Sequence, residues 1–397
     1  MLASLLVACG SGSRDSDQPG PEQDRAYVLS REVVTGSGTS ETIVSVLADA
    51  GEQTVREAEG ITIPGYSQAF SELGYVFATN SEGVSLTRYE VSASNELINP
   101  VELNFSSYGS AIGQFFVFSK QRGYMVSPGG FIVVWNPSTM QIEGDVPMQG
   151  FERNGLIGSS IEGRDSQVAI NESARSTGFL NLPIRWSDWD NAQLEPVLAI
   201  LSINTKDPSD QVLAISACSA YSLWVVNGRD DNLYVMGSPA WGPFYHHGEG
   251  VPSSAFARFD TAQRKFDDSY CQAVPELTGG NQGGIALQYG SGKFLLRAID
   301  EATAAASSAD SYFADIQSAC SFYQGDIDEE GQLGLTEAPS MGVEGACFGG
   351  FFNVDGDPYF SIPDSDGSTN WLSRWDGKKL VETIKLTGFP QSFERVR

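Results

Sequence analysis

Few side chains in this sequence could carry acid–base or metal chemistry at neutral pH. The chain of 397 residues has two histidines, and they are adjacent: His246 and His247. They end the segment Pro239-Ala240-Trp241-Gly242-Pro243-Phe244-Tyr245-His246-His247, inside the run 237–254. A second segment, Pro183-Ile184-Arg185-Trp186-Ser187-Asp188-Trp189-Asp190, leads to Pro196 and sets one arginine beside two tryptophans. Arg185, Trp186, Trp189, Trp241, Tyr245, His246 and His247 together offer stacking faces, cation–π partners and charged donors. That set suits a flat, aromatic or anionic ligand. Paired histidines can also hold a transition metal, although consecutive side chains in extended backbone point apart. The plainer alternative is an aromatic loop packed over a sheet edge.

A second constellation is Asp326-Ile327-Asp328-Glu329-Glu330-Gly331-Gln332-Leu333-Gly334-Leu335-Thr336-Glu337. Asp326, Asp328, Glu330 and Glu337 fall at positions 1, 3, 5 and 12 of a calcium loop, with glycine at 6 and an apolar residue at 8. Hard oxygen ligands at alternate positions are what calcium takes, so this segment raises calcium as a cofactor; none is required. An acidic hairpin turn gives the same pattern, and the flanks do not read as helices. With both histidines in one segment a Ser-His-Asp triad is hard to assemble. No nucleophile elbow, phosphate loop or dinucleotide fingerprint occurs. A binding protein is expected rather than an enzyme.

These residues need a scaffold, and the composition points to strands. Hydrophobic residues make up 41% of the chain, with 22 Phe, 14 Tyr, 7 Trp and 43 Gly, and the apolar runs are short. Short apolar runs between glycines favour many short strands over helices. No run reaches the roughly 20 apolar residues that a spanning helix needs. A unit recurs along the chain, clearest at Leu86-Thr87-Arg88-Tyr89-Glu90, Phe256-Ala257-Arg258-Phe259-Asp260 and Leu372-Ser373-Arg374-Trp375-Asp376. Fainter copies are Val44-Ser45-Val46-Leu47, Val133-Val134-Trp135-Asn136, Leu201-Ser202-Ile203-Asn204 and Leu296-Arg297-Ala298-Ile299-Asp300. Turn pairs follow, among them Asn227-Gly228, Asp355-Gly356 and Asp376-Gly377. Seven centres about 55 residues apart, built of short strands, are the mark of a β-propeller. The expected fold is all-β, a seven-bladed β-propeller over residues 26–397, with an eight-bladed ring as the alternative. Ala26-Tyr27-Val28-Leu29-Ser30 is expected to join the last blade near Leu380 to Leu386. The repeated arginines read as architecture, their stems covering the neighbouring blade and their charges meeting nearby acids. The two aromatic segments then fall on long links between second and third strands.

The compartment is read from the N-terminus and the cysteines. Leu6-Val7-Ala8-Cys9 resembles the lipobox of bacterial lipoproteins, in which the thiol of Cys9 receives lipid. Residues 1–9 then form a signal remnant, short and without Lys or Arg, so the natural start is expected upstream. Residues 10–25 hold Gly, Ser, Asp, Gln and Pro without a large apolar side chain, a tether in composition. Attachment is to the bacterial outer membrane, through lipid only, on its periplasmic or cell-surface face. The remaining cysteines, Cys218, Cys271, Cys320 and Cys347, are even in number, which in an exported chain suggests disulfides. Sequence leaves the pairing open, Cys218–Cys271 with Cys320–Cys347 being the most local choice. The formal charge of −26 makes nucleic acid a poor partner and obliges any anionic ligand to find a local basic pocket.

The lipobox, the tether, Ala26-Tyr27-Val28-Leu29-Ser30 and Leu73-Gly74-Tyr75-Val76-Phe77-Ala78-Thr79 together resemble the MxcI-like iron-uptake lipoproteins. That resemblance implies capture of a ferric siderophore, a catecholate being expected, and its transfer to a TonB-dependent receptor. Two other classes stay open: a propeller scaffold that binds outer-membrane proteins or peptides at its strand edges, and a lactonase-like hydrolase using carboxylates and a metal.

Overall fold

The computed structural model describes residues 25–34, 40–56, 59–65, 67–80, 84–110, 113–158, 178–188, 193–218, 220, 222–237, 253–300, 302–303, 320–338, 350–364 and 369–396. The protein is all-β. Among the described residues the strands form eight sheets, and no helix is long and apolar enough to cross a membrane.

Seven of the sheets are antiparallel meanders that follow one another along the chain. The first places the C-terminal strand Phe389–Arg395 beside Tyr27–Val34, then Ser40–Leu47 and Ile61–Pro64. The second runs Ala69–Glu72, Tyr75–Asn80, Ser85–Val91 and Leu97–Asn104. The third runs Gln114–Ser119, Arg122–Val126, Phe131–Asn136 and Gln141–Pro147. The fourth has three described strands, Phe179–Ile184, Ala199–Asn204 and Gln211–Ile215. The fifth and sixth are Ser222–Asn227 to Lys265–Ala273 and Gln282–Gly290 to Leu333–Glu337. The seventh is Phe351–Val354, Asp357–Pro363, Thr369–Trp375 and Leu380–Thr387, and Gln53–Val55 adds to its outer edge in parallel. The eighth sheet is small, built from Glu152–Arg153, Leu156–Gly158, Trp186–Asp188 and Gln193–Leu194 beside the fourth.

Local sequence explains the hairpins. Val354 pairs with Asp357 across Asp355-Gly356, whose φ values of 57° and 87° make a two-residue turn with both centres left-handed. Such a turn matches the twist of the flanking strands, and Asp-Gly tolerates it.

The core explains the order of the sheets. Seven apolar clusters occupy seven junctions between successive meanders. Phe70, Phe77, Phe115 and Trp135 join the second sheet to the third, and Leu182 and Trp186 meet Tyr124 and Val126 at the next junction. Tyr234, Phe256 and Phe294 join the fifth to the sixth. Tyr27, Phe352, Tyr359 and Phe393 join the seventh back to the first. Full burial of a side chain of this size contributes about 1.5–3 kcal/mol, so most of the stability lies at these junctions. Packing is close: a Cβ on Gly123 would stand 2.5 Å from the Trp135 indole, so only glycine fits there. Consecutive meanders of three or four described strands, with the last strand paired to the first, define a β-propeller.

One expectation needs correction. Residues 26–30 do not join a sheet near Leu380 to Leu386. They begin the first sheet, and Phe389–Arg395 comes to them. The repeat unit Leu296–Asp300 differs in position from the clearest copies, which overlap third strands. Lys293–Ile299 is the second strand of its sheet, and Cys320–Ile327 is the third.

Candidate functional site

Arg185 and Trp186 follow directly on Phe179–Ile184, and their surroundings overturn the expectation that they face a ligand. Trp186 is fully buried in the core beside Ile184 and Leu182, and its indole N–H donates to the Gly150 carbonyl at 2.8 Å. The Arg153 guanidinium lies over its ring at 5.3 Å and pairs with Glu195 at 3.2 Å. No face of this indole is left for stacking. Arg185 is also buried, at 2% exposure, so it cannot supply a solvent-facing positive field. Trp189, Trp241, Tyr245, His246, His247, Cys9 and Cys347 lie outside the described residues.

The calcium-like segment is a β-hairpin. Asp326 pairs with Gly334 and Glu337 with Tyr323, three residues further along the same strand pair. At about 3.3 Å per residue this carries the first and last carboxylates apart. The Asp328 carboxylate accepts the N–H groups of Glu330 (3.1 Å) and Gln332 (2.8 Å), a turn held by its own side chain. Asp326 and Glu329 both pair with Arg229 of the preceding sheet, at 2.9 and 3.4 Å. Asp326, Asp328, Glu330 and Glu337 do not converge, and no group of three or more His, Cys, Asp or Glu among the described residues could hold a metal ion.

The repeated arginines are structural. Arg88 is buried, lies over Tyr75 at 4.7 Å and donates to the carbonyls of Pro137 and Ser138 in the next sheet. Arg258 pairs with Asp267 and Arg374 with Asp357 within their own sheets. Arg297 is fully enclosed over Phe351, and burial lowers its pKa to about 9. Cys218 and Cys271 form a disulfide with Cα atoms 5.5 Å apart, tying the link before the fifth sheet to that sheet's outer strand. Cys320 is disulfide-bonded as well.

A concavity of ligand size lies elsewhere among the described residues, at the seam where the seventh sheet meets the first. It is a cleft of about 840 Å³, within the usual range for small-molecule sites. Its walls are the start of the first strand (Arg25, Tyr27), the link 48–52, the turn at Asp355 and the outer strand around Glu382. Tyr27 and Tyr359 are almost fully buried and pack against Phe393. The Tyr27 hydroxyl donates to Asp355 at 3.2 Å and the Tyr359 hydroxyl to the Ala50 carbonyl at 3.4 Å. Burial, helped by the Asp355 charge, raises the Tyr27 pKa, and burial pushes Tyr359 up to about 12. Both phenols therefore keep their protons at neutral pH and serve as neutral donors and acceptors. Five carboxylates line the cleft against two guanidinium groups. Arg395 neutralises Asp355 at 3.2 Å and Arg374 neutralises Asp357 at 3.1 Å. The sequence marked the Asp355-Gly356 turn, the strand start at Tyr27 and the Arg374 unit separately, but not their meeting in one site. Its other walls come from segments far apart in the chain.

No protein-family model and no curated protein matches the chain. Among solved structures it is similar to a candidate 6-phosphogluconolactonase from Bacteroides uniformis, at 10% identity over 94% of this chain and 100% of that one, with a TM-score of 0.48. A protein from Lactobacillus plantarum gives the same identity, coverage and TM-score. Apo AztD from Citrobacter koseri shares 12% identity over 94% of this chain and 98% of its own, with a TM-score of 0.45.

Proposed function

We propose that the chain is a seven-bladed propeller lipoprotein of the outer membrane, held through Cys9, that binds a ferric siderophore in the seam cleft. It passes its cargo to a TonB-dependent receptor and is a binding protein rather than an enzyme. The observation that carries this reading is the position of the cleft. Arg25, where the tether from Cys9 enters the propeller, is part of its wall. The segment expected as the tether is short, so a lipid on Cys9 would hold the edge of the cleft at Arg25 toward the membrane. Seven apolar junctions in cyclic order support seven blades.

The charge of the cleft revises the ligand class. A ferric tris-catecholate carries net negative charge and meets a carboxylate-rich wall; a ferric tris-hydroxamate is neutral and meets no repulsion. Titrating the protein with one complex of each class, read by quenching of tryptophan fluorescence, tests this. Saturable quenching by the hydroxamate alone is expected, and no quenching by either rejects the siderophore. Cys9→Ser should move the protein from the membrane to the soluble fraction of its host. Unchanged membrane association rejects the anchor.

A further inference from the structure

We propose that residues 48–56 form a strap that undocks from the seventh sheet while the ring stays closed, opening one side of the cleft to a ligand. The undocking stands on the fold alone; its use for ligand entry rests on the cleft being the ligand site. The argument begins with how the ring is fastened. At the inner rim Phe389–Arg395 pairs antiparallel with residues 27–32 of the first strand. At the outer rim Gln53–Val55, part of the link from Ser40–Leu47 to Ile61–Pro64, pairs in parallel with Leu380–Thr387 through Ile384, Lys385 and Leu386 alone. The cleft lies at this doubly fastened seam, and Ala48 to Glu52 form one of its walls.

The ends of the strap are held fast and its middle is held lightly. Before it, Ser40–Leu47 runs between two strands of the first sheet. After it, the buried Arg31 guanidinium donates to the carbonyls of Arg56 and Glu59, and the Ser45 hydroxyl donates to the Glu59 carbonyl. A Cβ on Gly60 would stand 2.5 Å from the Val44 carbonyl oxygen, so the chain is pressed against its own sheet there. Between these anchors Val55 is the one buried side chain of residues 48–56, in a cluster with Tyr359, Ile384 and Leu386. Asp49 ties the turn to itself: its carboxylate accepts the Gly51 N–H, and its carbonyl accepts the Gln53 amide at 2.6 Å. The turn is therefore preformed and moves as a unit. The Tyr359 hydroxyl reaches it from the cleft through the Ala50 carbonyl at 3.4 Å. Segments with few buried apolar contacts and exposed backbone pairing open locally, far more often than the whole fold opens. Undocking breaks the short parallel pairing, lifts Val55 and releases Ala50. It leaves the pairing of Phe389–Arg395 untouched.

Thiol labelling tests the undocking. Val55→Cys and Leu29→Cys, each in a Cys9→Ser background, put one thiol under the strap and one in the first strand, at positions 1% and 0% exposed. Val55→Cys should react at least about 100-fold faster than Leu29→Cys in the native protein. Hydrogen exchange on the unaltered chain makes the same comparison without a substitution: the amides of 53–55 should exchange well ahead of those of 28–30. Equal labelling of the two thiols, or equal protection of the two segments, overturns the proposal. The double variant Thr54→Cys/Lys385→Cys, at positions in register on the side of the strand pair away from Val55, pins the strap by a disulfide when oxidised. Its oxidised form should bind a neutral ferric tris-hydroxamate at least about tenfold more slowly than its reduced form, with the affinity unchanged because entry and exit slow together. Lys385→Cys alone should bind equally fast under both conditions. Equal association rates for the pinned and reduced forms overturn the entry route. Where no iron complex binds, the siderophore reading fails, and the labelling and exchange results still decide the strap.

Discussion

Phe393 offers the sharpest test of the seam. The residue is 1% exposed on the closing strand, with its ring 6.0 Å from Tyr27 of the first sheet and 5.3 Å, edge-on, from Tyr359 of the seventh. Phe393→Ala removes a ring that two sheets share. A buried Phe→Ala change costs about 3–5 kcal/mol, the sum of lost transfer energy and an unfilled cavity. The backbone pairing of Phe389–Arg395 with Tyr27–Val34 does not involve the ring, so the strand itself should stay in place. Phe389 supplies the control. It lies on the same strand with the same side chain, but it is 40% exposed. Phe389→Ala should change stability by less than about 0.5 kcal/mol. Urea unfolding, followed by tryptophan fluorescence and circular dichroism, measures both. With a slope near 3 kcal/mol/M, the Phe393 variant should lose about 1 M or more from its midpoint. The phenols of Tyr27 and Tyr359 rest on that ring, so ligand affinity at the cleft should fall along with stability. Equal effects of the two variants, or a loss below about 1 kcal/mol for Phe393→Ala, would refute the claim that this junction closes the ring.

Two more predictions follow from other parts of the ring. Cys271→Ser opens a loop with a sequence separation of 53, for which chain entropy gives about 4 kcal/mol at 25 °C; a loss under about 1 kcal/mol in urea unfolding would count against a stabilising bond. Asp267 has a pKa lowered from 3.8 to about 2, by the Ser269 hydroxyl first and by Arg258 second. Because the folded value is depressed, its contribution is complete above the ordinary carboxylate value and is lost as pH falls from about 4 to about 2. Asp267→Asn should flatten the stability curve in that window, and carbon-detected NMR should find the Asp267 carboxyl still ionised at pH 3.

The repeat was legible where one strand carried the whole signal. Leu86–Glu90, Phe256–Asp260 and Leu372–Asp376 overlap third strands, whose inward and outward residues alternate. The unit Leu296–Asp300 overlaps a second strand instead, because Lys293–Ile299, buried along nearly its whole length, has the same unbroken apolar run as a third strand. Nothing local records that Phe389–Arg395 returns to residues 27–32, since that pairing spans the whole chain. Trp186 misled for a related reason. In sequence it stands among polar and aromatic neighbours, and its burial depends on Gly150 and Arg153, more than thirty residues earlier. The cleft left no trace as a whole because its walls meet only when the ring closes. Even so, the disulfide Cys218–Cys271 came from the most local pairing, and the architectural role of Arg88 and Arg258 came from their triplets.

The mixed first sheet sets a timetable for the molecule. Three of its strands are made at the start of synthesis, and the fourth, Phe389–Arg395, is made at the end. Until Arg395 has left the ribosome, Tyr27–Val34 has an open edge and the junction around Phe393 has no filling. The first sheet therefore cannot close while the chain is being made, because every other described strand is made before the one that completes it.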